Sequence, residues 1–412
     1  MTKPNTQFTL TVDQDLIPSD IPSQRVIEIA IQAPGAIKAS QRPRLNLALV
    51  LDRSGSMSGE KLAYVKEAAL HILDMLRTDD QVAVVVFDDE VNLLSPSVPV
   101  TDHSRLEIKR LLSAVRSGGS TNLSGGWLAG CQEVARAAQD GMINRTLLLT
   151  DGQANAGIID LEQLAVHARE LSLRGVSTTT FGVGLGFNEH LLEAMANQGS
   201  GNFYYIGSPS QIPLLFAREF SELATITSRN LMATLEIPAH VHATVLGGWT
   251  VTAQDGKLQI ELGNLFSQRK QEVYVKLLIP PANGQSQLVF RAELVGRDEL
   301  NEPFRVQTEL TLTYASSAES EAAPRQIDML QRFAGVDLAE TATEALKLER
   351  NGERDKASRL LARALEEHLP FLDREKLREF ERLSERMRHG MMEEDRKSSH
   401  QSLYNQKRRR DS

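Results

Sequence analysis

A doubly wound α/β domain inserted in an antiparallel β-sandwich, with a helical segment behind it, is the architecture this sequence predicts. Three observations carry the prediction. Apolar runs of strand length alternate with helical periods from Arg44 to Thr227, strand signals without helices flank that stretch, and the chain beyond Ser316 is charged and poor in β-branched residues. Strands separated by helices need right-handed crossovers and build a mostly parallel sheet covered on both faces. The predicted division is residues 1–43 for the first sandwich strands, 44–227 for the α/β domain, 228–315 for the rest of the sandwich, 320–390 for helices and 391–412 for a disordered basic tail.

Phe8, Leu10 and Val12, then Ile27, Ile29 and Ile31, recur at period two, which marks half-buried strands. Leu45–Leu51 is instead a nearly continuous apolar run, as expected of a strand covered on both faces, and it ends in Asp52-Arg53-Ser54-Gly55-Ser56. Leu62, Val65, Ala69, Ile72 and Leu76 follow at helical spacing. Further helical patterns cover Ser104–Val115, Leu123–Ala138, Leu161–Leu173 and Glu189–Ala196, and strands are predicted at Val82–Phe87, Arg145–Thr150, Thr178–Val183 and Asn202–Ile206.

From Arg229 to Tyr314 the helical period vanishes. Asp255-Gly256 between two alternating stretches is a two-residue hairpin signal, and Val273–Ile279 and Val306–Tyr314 alternate again. Ser316-Ser317-Ala318 reads as a polar linker, and helices are predicted over Ala339–Arg350, Glu353–His368 and Pro370–Arg388, with Asn351-Gly352 as a stop. The helices are expected to pack on the sandwich or to serve self-association, since one helical hairpin cannot make a repeat array.

Composition narrows the function. The chain has 412 residues, 41% hydrophobic and 24% charged, with a formal charge of -8, which argues against wholesale disorder and against a generally basic nucleic-acid binder. One cysteine, Cys131, fits a reducing compartment. No apolar stretch reaches the length of a membrane span and the first ten residues lack a signal-peptide core, so a cytoplasmic setting is expected.

Asp52, Ser54 and Ser56 leave the first parallel strand at a spacing that can aim all three side chains one way. Asp151 follows Leu147–Thr150, and Thr121 lies in the loop Gly118-Gly119-Ser120-Thr121-Asn122 before a helix. Loops at the carboxyl ends of strands meet at the switch point of an open sheet. Two carboxylates with three hydroxyls are an all-oxygen set suited to a hard cation, Mg2+ first, with Mn2+ or Ca2+ as alternatives.

These segments, with Leu149-Thr150-Asp151-Gly152 and Gly182–Glu189, resemble a von Willebrand factor A domain of the bacterial and inter-alpha-trypsin-inhibitor-like type, with its metal-ion-dependent adhesion site. The resemblance implies a Rossmann-like fold in which Ser54, Ser56 and Thr121 contact the ion while Asp52 and Asp151 supply charge. It also implies a non-enzymatic adaptor that captures a Glu or Asp of another protein. The competing reading is a metal-assisted hydrolase or phosphatase on the same site, for which Asp88, Asp89 and Glu90 are the nearby candidate bases. Gly182-Val183-Gly184-Leu185-Gly186 lacks the further glycine of a dinucleotide fingerprint, and Gly55–Gly59 has methionine where a nucleophile elbow needs serine. His71, His103, Trp127 and Cys131 read as surface or packing residues.

Overall fold

The computed structural model describes residues 6–33, 43–152, 154–267, 269–298 and 302–408. The chain divides into two compact units, one formed by Met1–Gly35 with Thr227–Ser412 and the other by Ala36–Ile226. The first opens with β1 (Gln7–Val12), β2 (Leu16–Pro18) and β3 (Ser23–Gln32).

The second unit runs β4 (Leu45–Asp52), α1 (Glu60–Met75), β5 (Gln81–Phe87), β6 (Val91–Pro99), α2 (Asp102–Ala114), α3 (Leu123–Ala137), β7 (Ile143–Thr150), α4 (Leu161–Leu173), β8 (Val176–Val183), α5 (Glu189–Gln198), β9 (Phe203–Ile206) and α6 (Ile212–Ala224). Its sheet has the order β6-β5-β4-β7-β8-β9, parallel except for β6. Every residue of β4 and β8 is buried, as strands covered on both faces must be; β4 is a continuous apolar run, whereas β8 also buries Ser177, Thr178, Thr179 and Thr180. The chain moves one way from β4 to β5 and the opposite way from β7 to β8 and β9. Right-handed crossovers then put α1 on one face and α4 and α5 on the other. On that second face Trp127, Leu164 and Leu191 pack with Ala48, Val50 and Val85. The direction reverses at β4, so the ends of β4 and β7 flank the switch point. The antiparallel β6 is an addition to the predicted strands: Pro96 and Pro99 obscure it, and an edge position tolerates them.

The first unit resumes with β10 (Ile226–Glu236), β11 (His242–Leu246), β12 (Thr250–Gln254), β13 (Lys257–Phe266), β14 (Lys270–Ile279), β15 (Gln287–Asp298) and β16 (Pro303–Ala315). Two sheets form, β1-β3-β14-β11 and β12-β13-β10-β15-β16-β2. Phe8, Ile27, Ile29 and Val275 from one and Leu235, Ile260 and Phe290 from the other share a single apolar core. The early strands thus pair with late ones: Ile27 lies opposite Val275, and the short β2 runs parallel to β16. Gln254 faces Lys257 across Asp255-Gly256, whose φ values of 50° and 72° are those a tight hairpin turn requires.

Five helices follow: α7 (Ser317–Ala322), α8 (Ile327–Arg350), α9 (Arg354–His368), α10 (Arg374–His389) and α11 (Glu393–Lys407). Three expectations are corrected. The supposed linker is α7, started by a capping box between Ser316 and Glu319. Helix α8 begins twelve residues earlier than the predicted Ala339. Most of the supposed tail is α11, because Leu403 joins Leu361, Phe380 and Met387 in a helical core that the charged composition hides. Residues 409–412 of that tail lie outside the described residues. Among the described residues no helix is long and apolar enough to cross a membrane.

Candidate metal centre

Asp52 is the last residue of β4, and its loop turns at once through a single 3₁₀ turn, Gly55–Met57, anchored by the fully buried Met57. The turn aims the acid and both serines together. Asp52 Oδ1 accepts from the Ser54 amide at 2.8 Å, and the Ser54 and Ser56 hydroxyls lie 3.2 Å apart. Ser56 is exposed, whereas Asp52, Ser54, Thr121 and Asp151 are buried, so the set opens to solvent on the Ser56 side.

Three loops are tied around it by the backbone. Gly55 donates to the Gly119 carbonyl at 2.8 Å, Gly118 to the Arg53 carbonyl at 2.7 Å, and Asn122 to the Asp88 carbonyl at 2.8 Å. The approach is close: a Cβ on Gly118 would fall 1.8 Å from Asp88 Oδ2, and one on Gly119 would fall 2.1 Å from Asp89 Oδ1. Thr121 is brought in by this loop and is fixed by its own amide, which donates to Asn155 Oδ1 at 2.7 Å. Asp88 ion-pairs with Arg53 at 3.1 Å and accepts from the Glu90 amide at 3.0 Å. Asp88 therefore fastens the loops.

The two acids leave adjacent strands, β4 and β7. Thr150 bridges the strand ends, donating to Asp52 Oδ2 at 2.5 Å while accepting from the Gly152 amide at 2.8 Å. Burial pushes the Asp52 carboxyl up from 3.8 to about 6; bonds from Ser54 and Thr150 oppose the rise, and the charge of Asp151 adds to it. Asp151 is fully buried. Its Oδ2 faces Lys61 Nζ at 2.9 Å, and its Oδ1 has no hydrogen-bond partner among the described residues. A buried carboxylate oxygen without a donor is costly, and a hard cation is the group that satisfies one beside hydroxyls and a second carboxylate.

Of the predicted set, Asp52, Ser54 and Ser56 are directly bonded, Asp151 is coupled to Asp52 by charge, and Thr121 is joined through its loop. Among the described residues no group of three or more His, Cys, Asp and Glu could hold a metal, so any ion here would depend on hydroxyls. Sequence reasoning missed Lys61, Thr150, Asn155 and the Arg53–Asp88 pair. Trp127 is a packing residue, buried with Nε1 donating to Thr178 at 3.1 Å, and burial pushes the Cys131 thiol up to about 12.

Residues 46–218, which hold all five positions, match the profile of the von Willebrand factor type A domain. The chain carries a type A domain. It is 28% identical over 373 residues, 86% of either chain, to the uncharacterised protein sll0103 of Synechocystis sp.. It is 30% identical over 207 residues to the uncharacterised protein YfbK of Escherichia coli, covering 50% of this chain and 36% of that one. Human inter-alpha-trypsin inhibitor heavy chain H3 is 29% identical over 185 residues, 43% of this chain and 21% of that protein. The similarity to these last two thus spans half of this chain or less and only 36% and 21% of their own lengths. Among solved structures, a von Willebrand factor type A protein of Catenulispora acidiphila superposes with TM-score 0.67 at 16% identity over 89% of this chain and 88% of that one. The ArnB paralog VWA2 of Sulfolobus acidocaldarius superposes with TM-score 0.63 at 17% identity over 98% of both. Both show shared fold, including sheets and helices outside the type A domain.

Proposed function

We propose that Asp52, Ser54, Ser56, Thr121 and Asp151 form a metal-ion-dependent adhesion site, and that the protein is a cytoplasmic, non-enzymatic adaptor. The observation that carries this reading is the donorless, buried Oδ1 of Asp151 beside Asp52 and two hydroxyls. Type A domains are commonly metal-dependent protein-interaction modules. Mg2+, or Mn2+ or Ca2+, would be held by Ser54, Ser56 and Thr121 with charge from the two aspartates, and would supply a Lewis-acidic point open to a carboxylate. The chain's own residues do the rest. The 3₁₀ turn holds the serines at the solvent edge, Thr150 orients Asp52, and the Arg53–Asp88 pair holds three loops in register.

The hydrolase reading needs a general base free to take a proton from water. Of the nearby acids, Asp88 already accepts from Arg53 and the Glu90 amide. The lone cysteine, buried and held in its neutral form, suits a reducing compartment.

The test uses wild type and D52A. Calorimetric titration with Mn2+ should show one site in wild type and none in D52A. Immobilised wild type should retain a protein from source-cell lysate with Mg2+ and release it with EDTA. Phosphatase and esterase turnover should stay at background. Metal-dependent turnover lost in D52A would replace the adaptor reading with the hydrolase.

A further inference from the structure

Lys61 is an awkward residue for its position. It is the second residue of α1, where the helix dipole favours acids, as the preceding Glu60 illustrates, and disfavours an ammonium group. Its charge is nevertheless brought back to the strand ends, 2.9 Å from Asp151 Oδ2. The path of its stem is also provided for. A Cβ on Gly184 would lie 2.8 Å from Lys61 Cε and 3.3 Å from its Cδ and Cγ, so the aliphatic chain crosses bare backbone. Gly184 has φ 72°, which suits glycine on its own account. Gly184, within a glycine-rich stretch that does not fit a dinucleotide, thus has a use: it lets one lysine reach one buried aspartate.

The partners differ in freedom. Asp151 is fully buried, whereas the Lys61 side chain is 25% exposed and can leave toward water. The ammonium and a divalent cation seek the same carboxylate, Asp151, and at a few ångströms in a partly dry site two positive charges repel appreciably. We infer that Lys61 is a built-in rival of the site's cation: it neutralises Asp151 until the ion arrives and sets the ion concentration at which the adhesion site loads. The inference rests on the adhesion-site reading and adds a charge balance to it. Two carboxylates cancel a dication, so an ammonium still nearby leaves an excess positive charge that an incoming acidic side chain of the partner protein neutralises. Loading and capture of the acid are thereby coupled.

The experiment titrates the full chain with Mn2+ alone by calorimetry, comparing wild type with K61M, which keeps the stem on Gly184 and removes the charge, and with K61R, which keeps the charge. K66Q, on the same helix with its ammonium on the Val115 carbonyl, is the control. The expected result is Mn2+ binding about tenfold tighter in K61M, with K61R and K66Q close to wild type. K61Q serves in place of K61M should the latter not fold. Wild type binding Mn2+ with K61M binding no tighter would overturn the inference and leave the adhesion site standing. Wild type, K61M and D52A all failing to bind would overturn both.

Discussion

At the scale of single residues, Asp52 is under two opposed demands. Its burial raises the carboxyl from 3.8 to about 6, so the folded protein holds that proton more tightly than the unfolded chain does. With EDTA present, this contribution to stability is therefore lost as pH rises from about 4 through about 6. We predict that D52N melts at a higher temperature than wild type in EDTA at pH 7.5, since the amide can keep the Ser54 bond without a buried charge, and that Mn2+ no longer shifts its melting. The proton and the cation compete for one carboxylate. The Mn2+ affinity of wild type should accordingly weaken as pH falls from 7 through 6, measured by calorimetry at fixed ionic strength; a flat profile would contradict a buried Asp52 in the site. The segments that carry the five proposed ligands were legible because Asp-x-Ser-x-Ser after an apolar run, a threonine before a helix and an aspartate after a strand can each be located without three-dimensional knowledge. Lys61, Thr150 and Asn155 were not, because each is an ordinary residue of its own element until the sheet brings it across.

Among the elements, α6 is secured by charge buried in the sheet. Arg145 on β7 reaches Glu219 at 2.6 Å, with the two side chains 1% and 0% exposed. Glu219 also accepts from Thr179, Asn202 and Tyr204 at 2.8, 2.6 and 3.0 Å. Burial would push its carboxyl up, but Arg145 and these donors outweigh burial and hold it below the usual range. Replacing Arg145 by methionine strands a buried carboxylate, and should cost about 3–5 kcal/mol in denaturant unfolding; less than about 1 kcal/mol would mean that α6 is fastened by apolar contact instead. The parallel strands and their helices were readable because β4 and β5 are nearly continuous apolar runs and the helices between strands keep one apolar stripe. The misread elements lack such a signal. In β6 prolines interrupt the pattern, α7 rests on one capping box, and α11 presents a few apolar side chains amid charge.

For the whole molecule, the two units differ in how their sequence is laid out. The type A domain is continuous, whereas the two-sheet unit takes β1–β3 from one end of the chain and β10–β16 from the other. Residues 43–226 alone should therefore unfold cooperatively and bind Mn2+ with the affinity of the full chain. Residues 227–408 alone should not fold, because β3 is the strand between β1 and β14 and carries Ile27, Ile29 and Ile31 into the shared core; circular dichroism and urea melts decide both. Pairing Ile27 with Val275 has a further cost in time. At synthesis rates of about 5–20 residues per second, the ribosome needs on the order of ten to fifty seconds to deliver the second partner after the first. Throughout that interval nascent β3 has only β1 beside it and a bare apolar face and edge, while the inserted domain completes itself downstream, so chaperone dependence in the cell should fall on the first thirty-odd residues.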